Sequence, residues 1–71
     1  MDKISATVNF ENAGTATISL VNMLGVTVKK FTQMNVAGLN TFKIDCSNVP
    51  AGMYSLEIRN QDEVANSKVV K

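Results

Sequence analysis

Apolar and polar residues alternate with a period of two along most of this chain, and no stretch keeps the 3.6-residue spacing of a helix. Successive side chains of an extended strand point to opposite faces, so this spacing prescribes strands buried on one side. Ile4, Ala6, Val8 and Phe10 share one parity, and Lys3, Ser5, Thr7 and Asn9 the other. After the turn-like Asn12-Ala13-Gly14, Ala16, Ile18 and Leu20 alternate with Thr15, Thr17 and Ser19. These first two strands are read as a hairpin. Met23-Leu24-Gly25 interrupts the pattern, Val26 and Val28 resume it, and the apolar parity flips at Lys29-Lys30-Phe31. One extra residue flips parity in this way, which places a β-bulge or a strand end near Lys30.

Gln33 to Asn40, around Ala37-Gly38, reads as a polar connection. In the strand that follows, Phe42, Ile44 and Cys46 oppose Thr41, Lys43 and Asp45. A further strand runs from Met53 to Asn60, with Tyr54, Leu56 and Ile58 opposite Ser55, Glu57 and Arg59. The turn Asn60-Gln61-Asp62-Glu63 then leads to a last segment containing Val64, Val69 and Val70. Short strands between turn signals make the chain all-β, an immunoglobulin-like antiparallel β-sandwich of six or seven strands. A small open barrel is the alternative. Seventy-one residues allow one domain, spanning 1–71.

The turn Val49-Pro50-Ala51-Gly52-Met53-Tyr54 has Pro where its fixed φ starts a turn and Gly where a positive φ is needed. Tyr54 fits a tyrosine corner, its hydroxyl returned to upstream backbone. A core aromatic without a special bond is the competing description.

Composition removes several function classes. A formal charge of +1, with lysines scattered among the acids, leaves no basic stripe for nucleic acid. The absence of histidine removes imidazole bases, and with a single cysteine it removes the usual zinc sets. Cys46 shares the parity of Phe42 and Ile44, which describes a buried, inert thiol. Asp62-Glu63 matches no calcium-loop spacing and reads as a solvated hairpin tip, and Lys29-Lys30 as a solvated strand edge. Neither a catalytic residue nor a metal or cofactor site is expected. No apolar run reaches the ~20 residues of a membrane helix, and Met1 to Thr7 alternate rather than forming a signal-peptide core. At the other end, the β-branched Lys68-Val69-Val70-Lys71 reads equally as a closing strand and as a recognition element.

The order of these features resembles the C-terminal sorting domain family of type IX secretion. Asn22 and Gly25 match the family's acidic residue and glycine after a strand, and Gly38 matches a glycine leading a hairpin. Ala51, Gly52 and Tyr54 match a small-residue and Gly-x-Tyr step, and Lys68 to Lys71 match its lysine-rich apolar tail. Two features depart: the Tyr-Pro-Asn-Pro-like opening is missing, which reads as a truncated front, and Asn22 stands where an aspartate is common.

The resemblance implies a non-catalytic signal domain behind an N-terminal cargo, residues 1–71 being a fragment of a larger secreted precursor. In transit it folds in the periplasm. An outer-membrane translocon reads it, and a sortase-like surface peptidase removes it at the cell surface. Lys68, Val69, Val70 and Lys71 are the expected recognition residues, and Gly25, Gly38, Pro50, Gly52 and Tyr54 the shape-setting ones. An unpaired edge makes a homodimer of the isolated fragment an expected state. The alternative is an adhesion or carbohydrate-binding module, which needs an exposed aromatic platform from Phe10, Phe31, Phe42 or Tyr54.

Overall fold

The structure, a computed structural model, describes residues 3–61 and 63–71. Six strands follow in order: β1 (Lys3–Phe10), β2 (Gly14–Asn22), β3 (Thr27–Asn35), β4 (Gly38–Asp45), β5 (Met53–Asn60) and β6 (Glu63–Val70). All pairings are antiparallel. β1 and β4 make a two-stranded sheet, and the other four a sheet ordered β3-β2-β5-β6.

The period of two becomes a sandwich because each sheet puts one parity inward. Ile4 lies opposite Ile44 and Ala6 opposite Phe42 in the small sheet, and Ile18 lies opposite Ile58 and Leu20 opposite Leu56 in the large one. All of these but Ala6, which is partly buried, join Phe10, Ala16, Cys46, Val49 and Tyr54 in one buried core. The rings of Phe10 and Phe42 meet edge to face at 6.4 Å. Each large apolar side chain buried this way contributes about 1.5–3 kcal/mol, so some ten of them carry a domain this small.

Two readings of the sequence need correction. β1 and β2 do not form a hairpin, since β1 pairs with β4, and residues 11–13 carry the chain across to the other sheet. A hairpin and an arch share the same half-buried alternation on both flanks. They differ in the turn, and Glu11-Asn12-Ala13 lacks the Asn-Gly type of signal that a tight hairpin requires. The stretch from Gln33 to Asn40 is mostly strand, β3 ending at Asn35 and β4 starting at Gly38, so the Gly38 step joins two sheets instead of leading a hairpin. The expected bulge exists. Leu20 pairs with Lys29 but Val21 with Thr27, which leaves Val28 as the extra residue, two positions before Lys30.

Two strands cannot cover four. The inner faces of the outer strands are only partly covered, and Phe31 on β3 and Val69 on β6 are half-buried against the core. Between β1 and β6 the sandwich stays open as a groove of about 300 Å³, floored by Leu56 and Ile58.

Candidate functional site

β6 is an edge strand of the large sheet, paired only with β5. Alternation therefore divides the tail by direction. Lys68 and Val70 are exposed, on the outer parity, while Val69 packs inward on the core. Val70 lies directly opposite Met53, and both are at least half exposed. At the same end Met23, Leu24 and Val26 stand out on the β2–β3 turn. Exposed apolar side chains with Lys68 beside them make this end a surface suited to a partner, while Met34, Val36 and Leu39 are exposed at the opposite end.

Lys71 turns the other way. Its backbone continues the ladder past β6, its N–H donating to the Gly52 carbonyl at 2.9 Å and its carbonyl accepting from the Gly52 N–H at 3.3 Å. Its ammonium enters the β4–β5 turn and donates to the carbonyls of Cys46 at 2.7 Å and Val49 at 2.5 Å, with Ser47 at 3.5 Å. The Tyr54 hydroxyl donates to the Pro50 carbonyl, which is the tyrosine corner. From β3, the Lys29 ammonium donates to the Asp45 carbonyl. Side chains from three directions thus cap successive carbonyls of one turn. Lys29 is consequently drawn into the structure, and only Lys30 fits the solvated edge read from the sequence.

Asp45 begins this turn. Its carboxylate accepts the Ser47 N–H at 3.0 Å, and that bond, reinforced by Lys29 and Lys3, holds its pKa below the ordinary 3.8.

The β2–β3 turn is set by Asn22. Its side-chain oxygen accepts from the N–H groups of Leu24 and Val26, both at 3.0 Å, while Gly25 adopts φ +84° and donates to the Asn22 carbonyl. An aspartate supplies the same acceptor, so the position asks for a side-chain oxygen rather than a charge. Gly38 also has positive φ, at +100°, beside an Asn40 amide that bonds Val36 and Gly38 backbone.

The opposite end is held by asparagines that composition and spacing did not single out. The amides of Asn35 and Asn60, both buried, donate to one carbonyl, that of Asn12, at 3.0 and 2.8 Å. Glu63 accepts from the N–H groups of Glu11 at 2.6 Å and Asn12 at 3.3 Å. It is therefore engaged in holding the β1–β2 arch and is not a free hairpin tip; Asp62 lies outside the described residues. The one signal available was the recurrence of Asn next to each chain turn.

Among the described residues no three acidic, histidine or cysteine side chains converge as a metal set. Cys46 is buried. Phe10, Phe42 and Tyr54 are buried too, and Phe31 packs against the core, so the aromatic platform a sugar-binding module needs is missing among them.

Comparison with known proteins matches residues 2–71 to one family model, described as a secretion system C-terminal sorting domain. No curated protein and no solved structure matches the chain. The matched stretch includes the Asn22 turn, the tyrosine corner and the closing edge strand in a single span, and a match of that extent shows that the chain belongs to the C-terminal sorting domain family of type IX secretion.

Proposed function

We propose that this domain is the part of a larger secreted precursor that the type IX machinery reads, with the tail end of the sandwich as the surface read. The family match carries the reading: such domains are in general non-catalytic signals that send a preceding cargo to the cell surface or the medium. The geometry supports this end because the edge strand, with Lys68 and Val70 outward, pairs Val70 with the exposed Met53, and Met23 and Leu24 are exposed on the β2–β3 turn at the same end. Val69 and Lys71 serve the same surface from inside, Gly25, Pro50, Gly52 and Tyr54 hold the backbone that frames it, and Gly38, opposite Phe10 at the other end, sets the shape of the sandwich there. The domain folds in the periplasm, an outer-membrane translocon component binds it, and a sortase-like peptidase removes it at the surface.

The test is a reporter with an N-terminal export signal, fused ahead of residues 1–71 and expressed in a type IX-secreting host. Full-length fusion is expected outside the cell, and a version lacking Ser67 to Lys71 in the periplasm. Equal retention of both in the periplasm, with the domain folded, overturns the reading.

Open edges also favour pairing between copies. β6 has one unpaired side among the described residues, and so has each strand of the two-stranded β1-β4 sheet. The isolated domain is expected to sediment as a growing dimer fraction toward ~1 mM, the weak end of the affinity range. A monomer at every concentration removes the homodimer from the proposal.

A further inference from the structure

We infer that Lys71 is a positioning residue: its ammonium latches the end of β6 to the β4–β5 turn, so the tail and the Gly-x-Tyr turn are read as one composite surface. This rests on the proposed sorting role, and it assigns to Lys71 a task different from contact with a partner.

Three observations converge on it. First, the ammonium is a point donor with three N–H bonds, and the turn offers it three backbone carbonyls, those of Cys46, Ser47 and Val49, at 2.7, 3.5 and 2.5 Å. Second, the same residue is tied through its backbone to Gly52 in both directions, so main chain and side chain hold the turn from both of its limbs. Third, the turn's next carbonyl, Pro50, is taken by the Tyr54 hydroxyl. With Lys71 in place, the carbonyls of Cys46, Val49 and Pro50 all have side-chain donors, and the loop has one conformation that satisfies them. Without it the Ser47 and Val49 carbonyls turn to water, the Cys46 carbonyl keeps its bond from the Val49 N–H, and the last pair of the β5–β6 ladder frays. Val70, opposite Met53, is the outward residue next to that pair and loses its fixed position first.

The chemistry separates this from a contact role. Arginine keeps the positive charge but replaces a compact three-donor ammonium with a wide planar fork, which does not enter a cage made of one turn's carbonyls. A residue that meets an acidic partner by charge tolerates arginine. A latch does not.

The experiment compares Lys71→Met, Lys71→Arg and, as a control on the outward face, Lys68→Arg. Each is measured by amide hydrogen exchange on the purified domain and by export of the reporter fusion. Expected for both Lys71 variants are exchange about tenfold faster at Val49, Gly52 and residue 71, whose N–H groups are bonded within the turn and across the last ladder pair, unchanged exchange at Leu56 and Ile58 in the core, and a loss of export of tenfold or more. Lys68→Arg is expected to behave as wild type in exchange. Normal exchange in Lys71→Met overturns the latch. Faster exchange with undiminished export also overturns the composite surface, although sorting itself stands. Export retained by Lys71→Arg and lost by Lys71→Met points to an outward charge contact and overturns it as well. If the wild-type fusion is not exported, the sorting role fails, and exchange alone then decides whether the latch exists.

Discussion

Replacing Gly14 by Ala is expected to destabilise the domain by about 2–3 kcal/mol, the cost of forcing one carbon into a site with no free volume. A Cβ built on Gly14 lies 2.7 Å from the side-chain oxygen of Asn60. Asn60 is fully buried, and its amide nitrogen is bonded to the Asn12 carbonyl at 2.8 Å, so it cannot swing aside without losing that bond. Among the described residues its oxygen has no hydrogen-bond partner and lies where a Gly14 side chain would start. A chain of 71 residues has roughly 4–10 kcal/mol of stability in all, so the change removes a large share. Asn60→Ala alone costs less, about 1–2 kcal/mol, because Asn35 still bonds the Asn12 carbonyl and an orphan oxygen disappears. In the double variant the new methyl enters the space the amide left. Its cost is expected to fall at least about 1 kcal/mol below the sum of the two single changes. Urea unfolding followed by circular dichroism measures all three. A Gly14→Ala protein within about 0.5 kcal/mol of wild type shows that Asn60 yields freely, and the asparagine end is then not the rigid clamp described.

Alternation proved a reliable guide to strands and a poor one to their partners. Met53–Asn60 is a strand with the bounds its residues announce, because the Gly52 turn and the Asn60 turn punctuate both ends. The parity flip at Lys29-Lys30-Phe31 led to a real bulge at Val28, since an odd residue leaves a trace in a period of two. The β1–β2 arch was missed for the opposite reason. What decides between hairpin and arch is the convergence of Asn35 and Asn60 on the Asn12 carbonyl, contacts made across more than twenty residues, and no local spacing carries them.

The tail shows the same limit. Period two places Lys68 and Val70 on one face and Val69 on the other, and that much is legible in four letters. That Lys71 points into a turn more than twenty residues earlier is not, because lysine at a strand end is ordinarily a solvated group. Tyr54 was the exception among long-range contacts: Pro50 and Gly52 set a turn short enough for the hydroxyl to reach a carbonyl four residues back. Asn22 stands where an aspartate is common in the family's pattern, and its two bonds to backbone N–H groups show why the exchange keeps the turn.

Phe42→Ala is expected to abolish export although every residue of the tail is intact. Phe42 is fully buried on β4, opposite Ala6 and edge-on to Phe10, at the centre of the small sheet. Truncating a buried phenylalanine costs about 3–5 kcal/mol, which approaches the roughly 4–10 kcal/mol a domain of this size possesses. Lys68 and Val70 lie on the outer face of the other sheet, so the substitution leaves their side chains and their pairing with β5 untouched directly. The variant therefore separates two kinds of signal. If the translocon reads a linear peptide, unfolding frees the tail and export continues or rises. If it reads a shape, the Met53–Val70 pair and the Lys71 latch vanish with the fold, and the fusion stays in the periplasm and becomes protease-sensitive. Phe42→Leu, which keeps most of the volume and costs about 1 kcal/mol, is expected to retain both fold and export. Export of an unfolded Phe42→Ala fusion at the wild-type level reduces the sandwich to a carrier for its last residues. Loss of export in Phe42→Ala alone makes the sandwich itself the signal, because the two variants carry the same tail and differ only in whether a core exists to hold it.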